Sequence, residues 1–359
     1  MSIIKIIVLI FATLGALDRL FGNRLGLGRE FERAFILFCP MSLSMIGMLT
    51  LAPAVGVWLS PVFDGFYNLF GLDPSIISAS ILGNDMGGVT LATQIAKSPE
   101  IGAFNAFIVS SMMGCVISYT LPVALGMVDK SRHNELFLGL LCGVVTIPLG
   151  CFVSGIICGI KIIPLILNLL PLIILALVMG FFLVFFQEIC IKVFSTFGFI
   201  IKAIATVGFI CAVFTFLSKI RIYEHFDTFE NAAMVCVNAC VTLSGMLPLI
   251  YILSLAFKKP ISKMSEKIGI DGASGLYLIS SIVTSTPAFG DMHNMNKKGA
   301  VLVSAFAVSA SFTLGGHLAF TMVYNDSYVA PMIIGKLVSG IFAIALALLI
   351  YKDKTAVNE

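Results

Sequence analysis

Charge is scarce in this chain: 11% of its 359 residues are Asp, Glu, Lys or Arg against 59% hydrophobic, a balance that excludes an ordinary soluble globular protein. A single tryptophan and a formal net charge of +3 leave neither a basic stripe nor a row of stacking platforms, so nucleic acid is not a partner. No HExxH, Walker loop or dinucleotide fingerprint occurs, which argues against an ATP-driven subunit and against any cofactor. The nine cysteines lie in or beside apolar runs without CxxC or zinc-type spacing. They read as small packing residues, and no metal site is expected.

What the chain has instead is length in apolar runs, with a mean hydropathy of +1.05. Runs of about 20 residues suffice to cross a bilayer, and they fall near 3–21, 34–58, 102–126, 136–159, 163–186, 199–217, 231–257, 300–323 and 329–351. Residues 3–17 could pass for a signal peptide, but Asp18 and Arg19 follow directly and no small-residue cleavage motif precedes them. Two further stretches, 74–96 and 272–296, carry Gly, Pro, Asp and Asn in their middles and read as broken hairpins that turn back. The fold class is therefore all-α: a polytopic membrane protein with about nine transmembrane helices and two re-entrant hairpins.

Most Lys and Arg fall in 22–33, 127–135, 187–198, 258–271, 297–298 and the tail after 351. The positive-inside rule makes these cytoplasmic, with the N-terminus outside and the C-terminus inside. Hairpin 74–96 then enters from outside and hairpin 272–296 from the cytoplasm. That opposition predicts an inverted repeat, faintly echoed where Gly150, Val153, Ser154, Gly155 and Ile156 match Gly335, Val338, Ser339, Gly340 and Ile341, and where Gly47-Met48-Leu49 matches Gly245-Met246-Leu247. The expected organisation is a first helix and loop (1–33), a first repeat (34–159), two linking helices (160–230), a second repeat (231–351) and a cytoplasmic tail (352–359). Gly155 and Gly159 form a small-xxx-small pair that allows close helix packing within one chain or in a homo-oligomer amid membrane lipids.

The most informative residue is Asp85, in Gly83-Asn84-Asp85-Met86-Gly87-Gly88. An ionised group in the hydrocarbon layer costs at least about 2.5–3.5 kcal/mol, so its default reading is a functional site facing protein or water. Freed backbone near such glycines is tolerated only where it lines a cavity or meets other protein. A structural acid held by Asn84 is the plainer alternative. In the second hairpin Pro287 removes a backbone donor, leaving carbonyls to Ser285, Thr286, water or a solute. Ser110 and Ser111 in the first half, and Ser304, Ser309, Ser311, Thr313 and His317 in the second, extend a polar seam past both tips. A fixed negative charge on that seam favours a protonated amine or a metal cation over an anion. Asp291 and His293 are candidate secondary or proton-linked residues, or else solvated residues at a hairpin end. Gly272-Ala273-Ser274-Gly275 matches the GxSG of intramembrane serine proteases, with His317 or His293 as base, but Ser274, three residues after Asp271 at the start of an apolar run, suits a helix start better.

Several blocks in one order over nearly the whole chain resemble the EutH family of bacterial ethanolamine permeases. They are Phe31-Glu32 through Pro53, Asp85 to Gly88, Ser111-Met112-Met113-Gly114, Pro122 to Gly126, Thr146-Ile147-Pro148, Pro287 to Phe289, Ala305 to Ala310 and Gly335-Lys336-Leu337. The resemblance implies a cytoplasmic-membrane importer of ethanolamine that is no enzyme. Asp85, with Asn84 beside it, would hold the ammonium, and Ser111, Ser285, Thr286 or His317 would bond the hydroxyl. Ethanolamine is protonated at neutral pH as a lysine head is, and inward movement of its charge is favoured by about 2.3 kcal/mol per 100 mV, enough for a uniporter. Departures from the family pattern fall at Gly316, where an acid is usual, at Thr284 and Ser285, where an Asn pair is usual, and at Asp291, an acid where none is expected. Gly316 and Asp291 would compensate each other, or the solute would be another amine or a metal cation held by Asp85 and His317.

Overall fold

The computed structural model describes residues 3–351, apart from the side chains of 257–259 and 261–264. The expected tail, 352–359, lies outside the described residues. These residues form an all-α polytopic membrane protein. The helices are α1 (Ile3–Leu20), α2 (Leu27–Ile36), α3 (Phe38–Trp58), α4 (Ser60–Phe70), α5 (Ser75–Ile81), α6 (Val89–Ile95), α7 (Pro99–Met127), α8 (His133–Ile157), α9 (Ile162–Phe185), α10 (Gln187–Ser218), α11 (Phe229–Lys267), α12 (Gly272–Ser281), α13 (Thr286–Gly290), α14 (Lys297–Ala310), α15 (Gly316–Tyr324) and α16 (Val329–Ile350).

Seven helical stretches among the described residues are long and apolar enough to cross a membrane, where nine were expected. α1 has 18 residues but carries Lys5, Asp18 and Arg19. The run 300–323 is divided between α14 and α15, because the chain leaves helical geometry from Ser311 to Gly315. Loops expected at 27–33, 187–198 and 258–267 are instead helical turns of α2, α10 and α11. The 39 residues of α11 span nearly 60 Å at 1.5 Å per residue, twice the hydrocarbon thickness. Its basic end therefore projects past the apolar layer.

Both hairpins close on themselves. Asp73 Oδ2 accepts from the Lys97 and Ser98 amides at 2.9 and 2.8 Å, so the chain returns to its starting point after α5 and α6. Likewise Asn296 Nδ2 donates to the Gly269 carbonyl at 3.2 Å and the Asn296 amide to Asp271 Oδ1 at 3.3 Å. Ser98 and Asn296 cap α7 and α14, accepting from Ile101 and Gly299.

The centre is held by α8 against α16. A methyl on Gly150 would sit 2.5 Å from the Gly335 carbonyl oxygen, and one on Gly335 would sit 2.6 Å from that of Gly150, so only glycine permits the approach. Flanking contacts repeat across this point: Ser154 Oγ donates to the Pro331 carbonyl at 2.9 Å and Ser339 Oγ to Thr146 Oγ1 at 3.3 Å. Gly47 meets α10 at Ala205, while Gly245 meets α1 at Val8.

Candidate functional site

Three interruptions of helix converge here. α5 ends in extended backbone at Leu82 and Gly83. The next residues reach α6 only because Gly87 adopts φ 85° and because a side chain at Gly88 would meet the Leu82 and Gly83 carbonyls at 2.5 Å. The second interruption follows α12 and the third joins α14 to α15. These two touch, since the Leu314 amide donates to the Ile282 carbonyl at 3.0 Å. The third contains Phe312 at φ 61°, a left-handed conformation that costs a non-glycine residue about 1–3 kcal/mol and marks functional sites. Interrupted helices free backbone groups that must find partners or a solute. The Gly83 amide finds Ser118 Oγ at 3.1 Å.

Asp85 sits on the first interruption. Its own amide donates to Asn84 Oδ1 at 3.0 Å, but no hydrogen bond or ion pair recorded among the described residues ends on its carboxylate oxygens. The side chain is half-buried, as are Met86, Tyr119, Phe312 and Gly316, amid fully buried neighbours. These residues keep partial exposure inside the bundle. A methyl on Gly316 would lie 3.8 Å from Asp85 Oδ2. The Phe312 ring packs edge-on against Tyr119 at 5.4 Å and tilted against His317 at 5.2 Å. Tyr119 Oη and Thr286 Oγ1 share a hydrogen bond at 3.1 Å, and Thr284 Oγ1 donates to Thr286 Oγ1 at 3.4 Å. A carboxylate, aromatic faces and a hydroxyl pair suit a small ammonium carrying a hydroxyl, since aromatic faces attract cations.

One decisive residue escaped the sequence reading: Lys336, on α16. It is 1% exposed, and its Nζ donates to the Ser111 carbonyl at 2.6 Å and to His317 Nδ1 at 3.2 Å. Asp85 lies within Coulombic range of it. The signal was present, because a lysine in the apolar run 329–351 raises the same cost as Asp85 does. Tyr119 and Phe312 gave no comparable signal. Ser111 lies where α7 is π-helical, over Asn105–Gly114, a form that recurs at functional sites.

The remaining candidates separate. Ser111 Oγ and Ser110 Oγ bond to carbonyls of their own helix, Ile108 at 2.9 Å and Ala106 at 2.5 Å. Ser111 therefore contributes its carbonyl rather than its hydroxyl. Asn84 Nδ2 reaches Thr321 Oγ1 at 3.5 Å, and Ser285 Oγ is buried without a partner. Asp291 is elsewhere, accepting from Tyr277 Oη at 2.5 Å and Asn294 Nδ2 at 2.6 Å, with the exposed His293 at 3.9 Å. The two bonds hold its carboxyl below the usual range. Gly316 faces Asp85 while Asp291 has these other neighbours, so the expected compensation between the two positions is not built. Ser274 Oγ donates to Asp271 at the start of α12, and its recorded bonds include neither histidine.

A model of the family described as "Ethanolamine utilisation protein, EutH" matches residues 1–350. A Listeria monocytogenes protein named "Probable ethanolamine permease EutH" is 35% identical over 371 aligned positions, covering all of both chains. Proteins of the same name from Salmonella typhimurium and Escherichia coli are 32% and 31% identical, covering 99% of this chain and 97% and 96% of theirs. No solved structure matches. With a full-length family match and relatives above 30% identity from end to end, the chain belongs to the EutH family of ethanolamine utilisation proteins.

Proposed function

We propose that this protein is a secondary transporter importing ethanolamine across the bacterial cytoplasmic membrane. The observation that carries the reading is Asp85: a half-buried carboxylate whose oxygens no described residue engages, where three helix interruptions meet. The ammonium binds Asp85 against the Tyr119 and Phe312 faces, and the hydroxyl reaches Thr286 or Ser285. Relatives named as permeases support the amine. A metal cation is less favoured, because His317 Nδ1 accepts from Lys336 rather than turning to Asp85. A cavity of about 360 Å³ beside the second interruption, lined by Glu30, Arg33, Tyr251, Thr284 and Pro287 among others, offers a path toward one membrane face.

In this reading the two halves form an inverted repeat, with the site between the hairpin tips. The reciprocal serine contacts about Gly150 and Gly335 support the pairing. So do the contacts between loops assigned to one side. Arg132 donates to the His293 and Met295 carbonyls, while Lys5 pairs with Asp326 at 3.0 Å. The N-terminus is then outside and the C-terminus cytoplasmic. Impermeant thiol labelling of intact cells should reach a cysteine introduced at Lys97 and not one at Arg132; the reverse pattern inverts the topology.

Uptake of labelled ethanolamine into proteoliposomes tests the function, with choline and divalent metals as competitors. Saturable uptake is expected. No uptake by folded, inserted protein would refute the reading, and inhibition by divalent ions alone would move it to a metal.

A further inference from the structure

The site just described contains two opposite charges, a buried lysine and a half-buried carboxylate, with no ion pair between them. Lys336 has three donors and uses two, on neutral acceptors, the Ser111 carbonyl and His317 Nδ1. No carboxylate lies within 4.0 Å of Nζ among the described ion pairs. The elements packed against α16 carry Cys115 on α7, Glu135, Cys142, Cys151 and Cys158 on α8, His317 and Tyr324 on α15, and Asp326 and Tyr328 in the turn before α16, with Asp326 paired to Lys5; Asp85 joins them from the first interruption. Among the described residues Asp85 is the carboxylate whose charge acts on Lys336.

That balance sets the charge economy of binding. The empty site, with Asp85 ionised and Lys336 protonated, is neutral. A bound ammonium would leave one net positive charge in a low-dielectric interior, where an uncompensated charge costs several kcal/mol after relaxation. Two cations would then share one carboxylate. The site returns to neutrality if the lysine gives up its proton, and a neutral amine keeps the donors needed by the Ser111 carbonyl.

We propose that binding of the substrate ammonium at Asp85 displaces a proton from Lys336, so that this transporter moves an ammonium one way in exchange for a proton the other way. The step balances: the substrate arrives as RNH3+ and remains so on Asp85, the Lys336 Nζ–H bond breaks with its electron pair left on nitrogen, and the proton passes to water. This rests on the amine reading above and replaces the voltage-driven uniport expected from Asp85 alone. His317 takes a positioning role, holding Nζ through Nδ1.

The test is calorimetric titration of ethanolamine into the purified full chain at pH 7, in two buffers of different ionisation enthalpy. At that pH free ethanolamine is still protonated as a lysine head would be, and a carboxyl is ionised. Wild type should release close to one proton per ethanolamine bound. Lys336→Arg carries a charge that cannot be shed; it should release none and bind at least about tenfold more weakly. Should the larger arginine fail to fold, the wild-type measurement still tests the proposal, because wild type must release a proton on binding. Wild-type binding without proton release overturns the proposal, as does release that persists in Lys336→Arg, since its source would then be Asp85 or the substrate. Absence of any ethanolamine binding by folded wild type instead overturns the amine reading, and this inference falls with it.

Discussion

Asp85→Asn removes the charge at nearly constant volume, and its cost to binding can be worked from the site. No described residue engages the carboxylate oxygens, so all of their acceptor capacity is open to an incoming ammonium. A hydrogen bond to a charged group contributes about 1.5–3 kcal/mol. Two unit charges 4 Å apart attract by about 4 kcal/mol at an effective dielectric of 20, which bounds the total because the ammonium is also stripped of water. A loss of about 2–4 kcal/mol follows, or roughly 30- to 700-fold in Kd. The fold should survive, since the backbone bond from the Asp85 amide to Asn84 remains and an amide fits the same space. The assay is ethanolamine binding to purified protein, paired with a melting curve to confirm folding. Binding within about threefold of wild type, less than 1 kcal/mol, in a protein that melts normally would refute the assignment of Asp85 as the ammonium site.

Two further substitutions probe how the site is held. Gly114→Ala places a methyl within contact distance of the Leu82 and Ala79 carbonyl oxygens. Backbone cannot yield as a flexible side chain does, so the first hairpin must back away from α7, costing about 1–3 kcal/mol; an unchanged melting temperature would contradict that packing. Tyr119→Phe deletes the partner of Thr286 Oγ1 and should cost about 1 kcal/mol of hydroxyl recognition, lowering the preference for ethanolamine over ethylamine roughly fivefold; an unchanged preference would assign the hydroxyl to other groups.

Much of the architecture was legible because membranes make their demands visible in sequence. Long apolar runs and the two glycine- and proline-bearing hairpins correspond to elements of the fold, and the hairpins do return to their starting points. Run lengths misled where hydropathy cannot see backbone geometry. The stretch 300–323 is apolar enough to read as one crossing, yet Ser311 to Gly315 break it, and nothing local to Phe312 announces a left-handed residue. Helix ends were missed for a different reason, since charged turns of α10 and α11 project beyond the hydrocarbon layer and resemble loops in composition. Asp85 stood out by its cost, and Lys336 should have stood out equally. It was passed over because it was read as part of the Gly335-Lys336-Leu337 block rather than weighed as an intramembrane ion. Tyr119 and Phe312 could not be singled out, because in a chain with 30 phenylalanines and 8 tyrosines only tertiary contact separates a pocket wall from lipid-facing bulk.

The placement of the two charges gives the proposed repeat a functional meaning. Pairing Gly150 with Gly335, as the reciprocal contacts suggest, sets Lys336 opposite Cys151. The two halves are thus alike in backbone contact at this point and unlike in charge. Asp85 comes from the first half, while Lys336, His317 and Phe312 come from the second. An anion and a cation on separate units change their distance whenever one unit slides or rocks against the other, whereas a pair on one helix would not. If Lys336 is neutral when an ammonium occupies Asp85 and protonated when the site is empty, the two units are drawn together by a charge pair in both conditions: ammonium and carboxylate in one, lysine and carboxylate in the other. The state that loses this attraction is an empty site with a neutral lysine, so release of substrate without reprotonation is disfavoured. That penalty is what would make the exchange obligatory, and it follows from one carboxylate serving two cations in turn.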